Sequence, residues 1–200
     1  MEERLIKVGI THGDINGIGY EVILKTFSDA RVAELCTPVI YGSSKIAAYH
    51  RKALELPPVN MNIISQAEDA GINRVNIINC VDDETKVELS QSTSIAGEAA
   101  FLALEAAVTD LKRGAVDVLL TAPINKHNIQ NDQFHFPGHT EYLEERFGGV
   151  GRKALMILMK DGLRVALVTG HIPLSEVPSK ITVEDIVSKL RIFNQSLKQD

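Results

Sequence analysis

What this sequence lacks narrows its reading at once. It has only two cysteines, Cys36 and Cys80, both near apolar strand-like segments. Buried free thiols in a reducing compartment are therefore expected, not a disulfide framework. No apolar run approaches a membrane span, and the opening MEERLIKVGI has no apolar signal region; the expected setting is cytoplasmic, with no membrane partner. No Lys/Arg run exceeds two residues, and 21 basic against 26 acidic side chains give a formal net charge of -5. That balance argues against a nucleic-acid partner. Internal repeats, low-complexity tracts and Gly/Ser linkers are missing. So are H-E-x-x-H and C-x-x-C spacings, which means that no complete metal site is legible locally.

What is present is globular: 44% hydrophobic and 24% charged over 200 residues, enough for one large domain or one and a half ordinary ones. Leu5 to Ile10 reads as a strand that runs into THGDINGIG and then the apolar-periodic YEVILKTF. Strand, Gly-rich loop and helix together can present backbone N–H groups to an anion. The glycines are spaced G-x-x-x-G-x-G, so the dinucleotide fingerprint is absent, and a tight turn needing positive φ is an equal alternative. Thr37 to Tyr41, Met61 to Ile64 and Val75 to Val81 are further strands. Ser43 opens a helix over Lys45 to Leu54. The clearest helix lies in QSTSIAGEAAFLALEAAVTDLKRG, capped by Ser92, Thr93 or Ser94 and stopped by Gly114. It is expected to bury Gly97, Phe101, Leu104, Val108 and Leu111, with Glu98 and Glu105 on the opposite face.

Chemistry is sought in Val116 to Phe147. Val116 to Leu120 reads as a strand buried on both faces. The chain then turns polar, with His127, His135 and His139 within thirteen residues, and loops at the carboxyl ends of parallel strands are where open α/β sheets keep ligands. On composition alone a merely polar surface loop is an equal reading. Lys126 alone is more often a solvated charge than a catalytic group. EYLEERFG reads as a helix with Thr140 as its N-cap, placing His139 beside the positive end. Ala154 to Met159 and Leu163 to Val168, joined by Lys160-Asp161-Gly162, form a hairpin signal, which makes the expected sheet mixed. His171 is read at the end of a buried strand, with Pro173 and Pro178 holding the chain out of helix. Thr182 caps a last helix with Val183, Ile186, Val187, Leu190, Phe193 and Leu197 inward. His50 is expected to be exposed, and His12 is ambiguous.

Four motifs then occur in order: GDINGIGYE (Gly13 to Glu21), TAPINK (Thr121 to Lys126), FPGHTEYL (Phe136 to Leu143) and TGHIPLSEV (Thr169 to Val177). Together they resemble the 4-hydroxythreonine-4-phosphate dehydrogenase family of vitamin B6 biosynthesis, over essentially the whole chain. The loop departs from the usual GDPAGIGPE form, with Ile15-Asn16 in place of Pro-Ala and Tyr20 in place of Pro, and keeps its glycines.

The resemblance implies an α/β fold with the two-domain α/β/α architecture of isocitrate and isopropylmalate dehydrogenases. The first domain would span residues 1–125, and residues 126–200 would be an incomplete second one. It implies NAD-dependent oxidation of 4-phosphooxy-threonine at C3, then decarboxylation to 3-amino-2-oxopropyl phosphate, with a divalent ion (Zn, Mg or Co). His139 and Thr140 would contact the small phosphorylated substrate. His171 would be one of three metal histidines, in a homodimer whose active site lies between subunits. Catalytic and NAD-binding residues stay unassigned. The other two metal histidines of such chains, one in a motif resembling NPHAGE, are absent. The expectation is therefore an N-terminal portion that alone holds metal poorly and turns over negligibly. A dehydrogenase for D-threonate or D-erythronate 4-phosphate is the alternative within the class, and a non-catalytic phosphate-binding module is the alternative outside it.

Overall fold

The computed structural model describes residues 5–149 and 153–199, in two compact units that divide after Phe147. In the first, β1 (Lys7–Thr11) leads through α1 (Gly19–Phe27) and the short α2 (Val32–Leu35) to β2 (Thr37–Gly42). Next come α3 (Ser44–Ala53), β3 (Met61–Ile64), β4 (Val75–Asn79), α4 (Ser94–Lys112), β5 (Val118–Thr121) and α5 (His139–Phe147). The strands pair in the order β3-β4-β2-β1-β5, each pair parallel. Parallel neighbours need long crossovers, and the intervening helices supply them on both faces. Ile10, Ile40 and Ile77 pack with Ile23 and Phe27 of α1, while Val39 and Tyr41 pack with Ala103 and Ala107 of α4. This two-sided cover explains why β2 reads as an unbroken apolar run.

β5 departs from its expected double burial. It is an edge strand, with Val118 45% and Leu120 52% exposed; an apolar run says that a strand wants cover, not that this chain provides it.

Helix caps follow local chemistry. The Ser43 Oγ accepts from the Ile46 N–H at 3.3 Å, and among the three candidates before α4 it is Thr93 whose Oγ1 accepts from Ala96. α4 is buried on two sides, not one. Its alanines face the sheet, while Ala100, Phe101, Leu104 and Val108 pack against Ile129, Phe134 and Tyr142. Tyr41 in β2 donates to Asp110 of α4 at 2.6 Å, and Arg113 holds the other oxygen of that carboxylate at 2.8 Å. The aromatic packing on the outer side carries the first compact unit through Phe147.

The second unit contains β6 (Ile157–Lys160) and β7 (Leu163–Ala166), α6 (Val177–Lys180) and α7 (Val183–Ser196). β6 and β7 form the expected hairpin, turning at Asp161 (φ 50°) and Gly162. It stands as its own two-stranded sheet, so the larger sheet is not mixed. Thr182 caps α7 by accepting from Asp185 at 3.1 Å. Two expectations fail here. Pro178 lies in the first turn of α6, where its missing N–H costs nothing. The apolar side of α7 is not buried, with Val183 and Leu190 exposed; among the described residues this unit offers it one hairpin. Among the described residues no helix is long and apolar enough to cross a membrane.

Gly97 offers a direct test of the two-sided packing. A Cβ there would overlap the Asn128 carbonyl oxygen and sit 2.8 Å from the Ile129 nitrogen, both backbone atoms that cannot swing aside. The Gly97→Ala substitution should cost about 2–3 kcal/mol of unfolding free energy by denaturant titration, despite the better helix propensity of alanine.

Candidate active site

Parallel pairing brings the loops after β1 and β5 to the same sheet edge. The Asp14 N–H donates to the Pro123 carbonyl at 2.9 Å. Between them Gly13 has φ +71°, and a Cβ on it would collide with the Pro123 oxygen and the Ala122 backbone. Positive φ and a close approach are thus both real at this glycine. Asn16 then ties the loop to the segment before α4. Its amide donates to the Gln91 carbonyl at 2.9 Å and to Thr93 Oγ1 at 3.1 Å, and its oxygen accepts from Glu88 N–H at 2.7 Å.

Beneath the loop lies a group that sequence reasoning missed. His12, Tyr20 and His50 stack in a row, with successive ring centroids 5.2 Å apart. His50 was expected at the surface; it is buried, with Nε2 2.8 Å from the Ile15 carbonyl, because its helix turns that face onto the loop. The Tyr20 hydroxyl accepts from the Ser43 N–H at 2.8 Å. Burial pushes the pKa of His50 down and that of Tyr20 up. His12 is wholly buried, and desolvation lowers its pKa to about 4 against the smaller opposing effect of the Gly13 and Ala99 backbone.

On the β5 side, Asn125 organises the turn: its oxygen accepts from the His127 N–H at 3.0 Å, and its amide donates to Ser92 Oγ at 3.1 Å. Lys126, His127 and His135 are exposed. α5 begins at His139, so Thr140 lies within the first turn and is not the cap; the carbonyl of Gly138 already accepts from Tyr142. His139 is half-buried with Nε2 shielded and unpartnered. Its pKa is held below the ordinary value, first by burial and then by the charge of Lys126. Lys126 itself reaches the amino end of α5, its Nζ 3.9 Å from where a Gly138 side chain would start. The arrangement gathers a cation, a neutral imidazole and the free N–H groups of a helix start, which together suit an anionic, hydroxyl-bearing ligand.

His171 belongs to the second unit. It is exposed and follows β7 by five residues, not at the end of a buried strand as expected, and its φ is +53°. Among the described residues no three His, Cys, Asp or Glu side chains are grouped to hold a metal ion. One imidazole donor does not make a closed set.

The profile of the family described as "Pyridoxal phosphate biosynthetic protein PdxA" matches residues 34–200. The chain belongs to the PdxA family. A Bacteroides thetaiotaomicron relative named 4-hydroxythreonine-4-phosphate dehydrogenase is 60% identical over 200 residues, which are 100% of this chain and 54% of that protein. A Burkholderia phymatum crystal structure bearing the same name superposes with a TM-score of 0.85 at 29% identity, over 98% of this chain and 59% of that one. The PdxA fold thus extends over this chain. A Clostridium botulinum relative, provisionally named a D-threonate 4-phosphate dehydrogenase, is 28% identical over 197 residues, 96% of this chain and 58% of its own length. The chain therefore spans little more than half the length of these PdxA-type proteins.

The His12 environment has a measurable consequence. Unfolded, its imidazole takes a proton near pH 6.5; folded, it does so only near 4. Its contribution to stability is complete above pH 6.5 and falls as pH drops towards 4, by about 3 kcal/mol across that window. Urea unfolding between those limits should show the loss, and a His12→Leu variant should show a correspondingly flatter dependence.

Proposed function

We propose that this chain forms part of a 4-hydroxythreonine-4-phosphate dehydrogenase. Such an enzyme oxidises 4-phosphooxy-L-threonine at C3, passing the C3 hydride to NAD and the hydroxyl proton to a base. The resulting β-keto acid releases CO2 and becomes 3-amino-2-oxopropyl phosphate, on the route to pyridoxal phosphate. The observation that carries this reading is the convergence of Lys126, His139 and the amino end of α5. The uncharged imidazole of His139 can share a hydrogen bond with a substrate hydroxyl, and the first-turn N–H groups with the Thr140 hydroxyl can receive an anionic group. Lys126 adds positive charge at the same place and disfavours protonation of His139. NAD, as the hydride acceptor, supplies the redox chemistry; the loop after β1 carries no dinucleotide fingerprint, and no residue is assigned to the cofactor.

His171 is proposed as one donor towards a divalent ion in the whole protein. Its left-handed backbone supports this, since a non-glycine residue held there costs about 1 kcal/mol and such positions gather at functional sites. Among the described residues the ligand set is not completed. The whole protein is proposed to work as a cytoplasmic homodimer with its site between subunits.

A phosphorylated sugar acid is the second reading of the substrate, supported by the Clostridium botulinum relative and its provisional name. Isothermal titration of the chain with 4-phosphooxy-L-threonine and with D-threonate 4-phosphate separates the two, the amino compound being expected to bind more tightly. His139→Ala and Thr140→Ala should each weaken that binding at least about tenfold, or 1.4 kcal/mol. Binding untouched by both substitutions would remove these residues from the site. Equal binding of both compounds by the wild-type chain would favour a plain phosphate-binding module.

A further inference from the structure

One carboxylate on α4 is gripped by two side chains of α5. The Tyr142 hydroxyl donates to Glu105 Oε1, and Arg146 Nη2 donates to Glu105 Oε2 at 3.1 Å. Tyr142 stands three residues beyond His139 and Arg146 four beyond Tyr142, so all three share one face of the helix. Beneath the hydroxyl, the Tyr142 ring packs on Phe134 at 5.3 Å and against Phe136 at 5.5 Å between centroids. Phenylalanine would satisfy that packing equally well, and a buried hydroxyl is unfavourable unless it is partnered. The hydroxyl therefore answers to the carboxylate and not to the core.

We propose that Tyr142 and Glu105 are positioning residues: the shared carboxylate sets the depth and rotation of α5 and so fixes how His139 and Thr140 are presented. Two attachment points a turn apart define rotation about the helix axis, which one contact would leave free. The aromatic cluster alone permits the ring to slide; the charged pair gives it a stop. At the start of the helix Lys126 and Glu141 both lie close to Gly138, and the charge of Lys126 acts on His139. A small rotation of α5 would carry the imidazole out of its half-buried place beside Lys126. The functional meaning of the clamp rests on the proposed substrate role of His139 and Thr140, but its existence does not.

The test is an NMR titration of the His139 ring in the 200-residue chain, alongside Tyr142→Phe and Glu105→Gln variants. Wild-type His139 should titrate below the ordinary value of about 6.5, and in both variants its midpoint should rise by about 0.5 or more as burial is lost. The melting temperature is recorded in parallel. A clamp that only stabilises would lower the melting temperature and leave the His139 midpoint in place, and that result overturns the proposal. Either variant suffices for the reading if the other fails to fold. Failure of the wild-type chain to bind 4-phosphooxy-L-threonine would sink the substrate assignment without altering the titration result, so the two ideas fall separately.

Discussion

The burial of α4 between two layers is the constraint on which this molecule depends. One side of the helix is mostly alanine, so it can lie flat on the parallel sheet. Its outer side offers Phe101, Leu104 and Val108 to the chain that follows β5. A helix with a single apolar stripe would hold the sheet and leave the long polar segment to wander. Because this one has two, residues 129 to 142 acquire a floor of their own, and polar side chains above it inherit fixed positions. The site is therefore built on a helix that contributes none of its proposed ligands and reaches α5 through Glu105.

Much of this was legible in the residues and some was not, for reasons that differ case by case. Ser43, Thr93 and Thr182 declared their helices because capping is a local bargain between a hydroxyl and an amide a few residues on. The Asp161-Gly162 turn declared its hairpin in the same way. His50 misled because charged neighbours suggest solvent, while its own face is turned onto Ile15 by tertiary packing. Val118 and Leu120 misled in the opposite direction: their apolarity reports a demand for cover that the chain does not itself meet. Glu105 read as an exposed charge opposite the apolar stripe, since nothing in sequence links it to Tyr142 and Arg146, 37 and 41 residues away. Thr140 as the cap sets the start of α5 two residues late, since the helix already begins at His139.

The loop after β1 shows how a departure from a family pattern can be absorbed. Ile15, Asn16 and Tyr20 stand where GDPAGIGPE would put smaller or stiffer residues. None hangs free. Ile15 lends its carbonyl to His50, Asn16 joins the segment before α4, and Tyr20 fills the space between two imidazoles. The glycine that carries positive φ, Gly13, is untouched.

The register of the sheet also dictates a timetable. Within this sheet β1 precedes the other strands, yet its second neighbour arrives about a hundred residues later: the Lys7 N–H reaches the carboxylate of Asp117, a separation of 110 positions. Until that strand emerges, the loop carrying Asp14 has no Pro123 to meet, and the half of the site it borders stays unassembled. A chain growing from a ribosome must hold β1 half-paired until β5 follows it. Long-range pairing of this kind makes closure of the site a late event in folding.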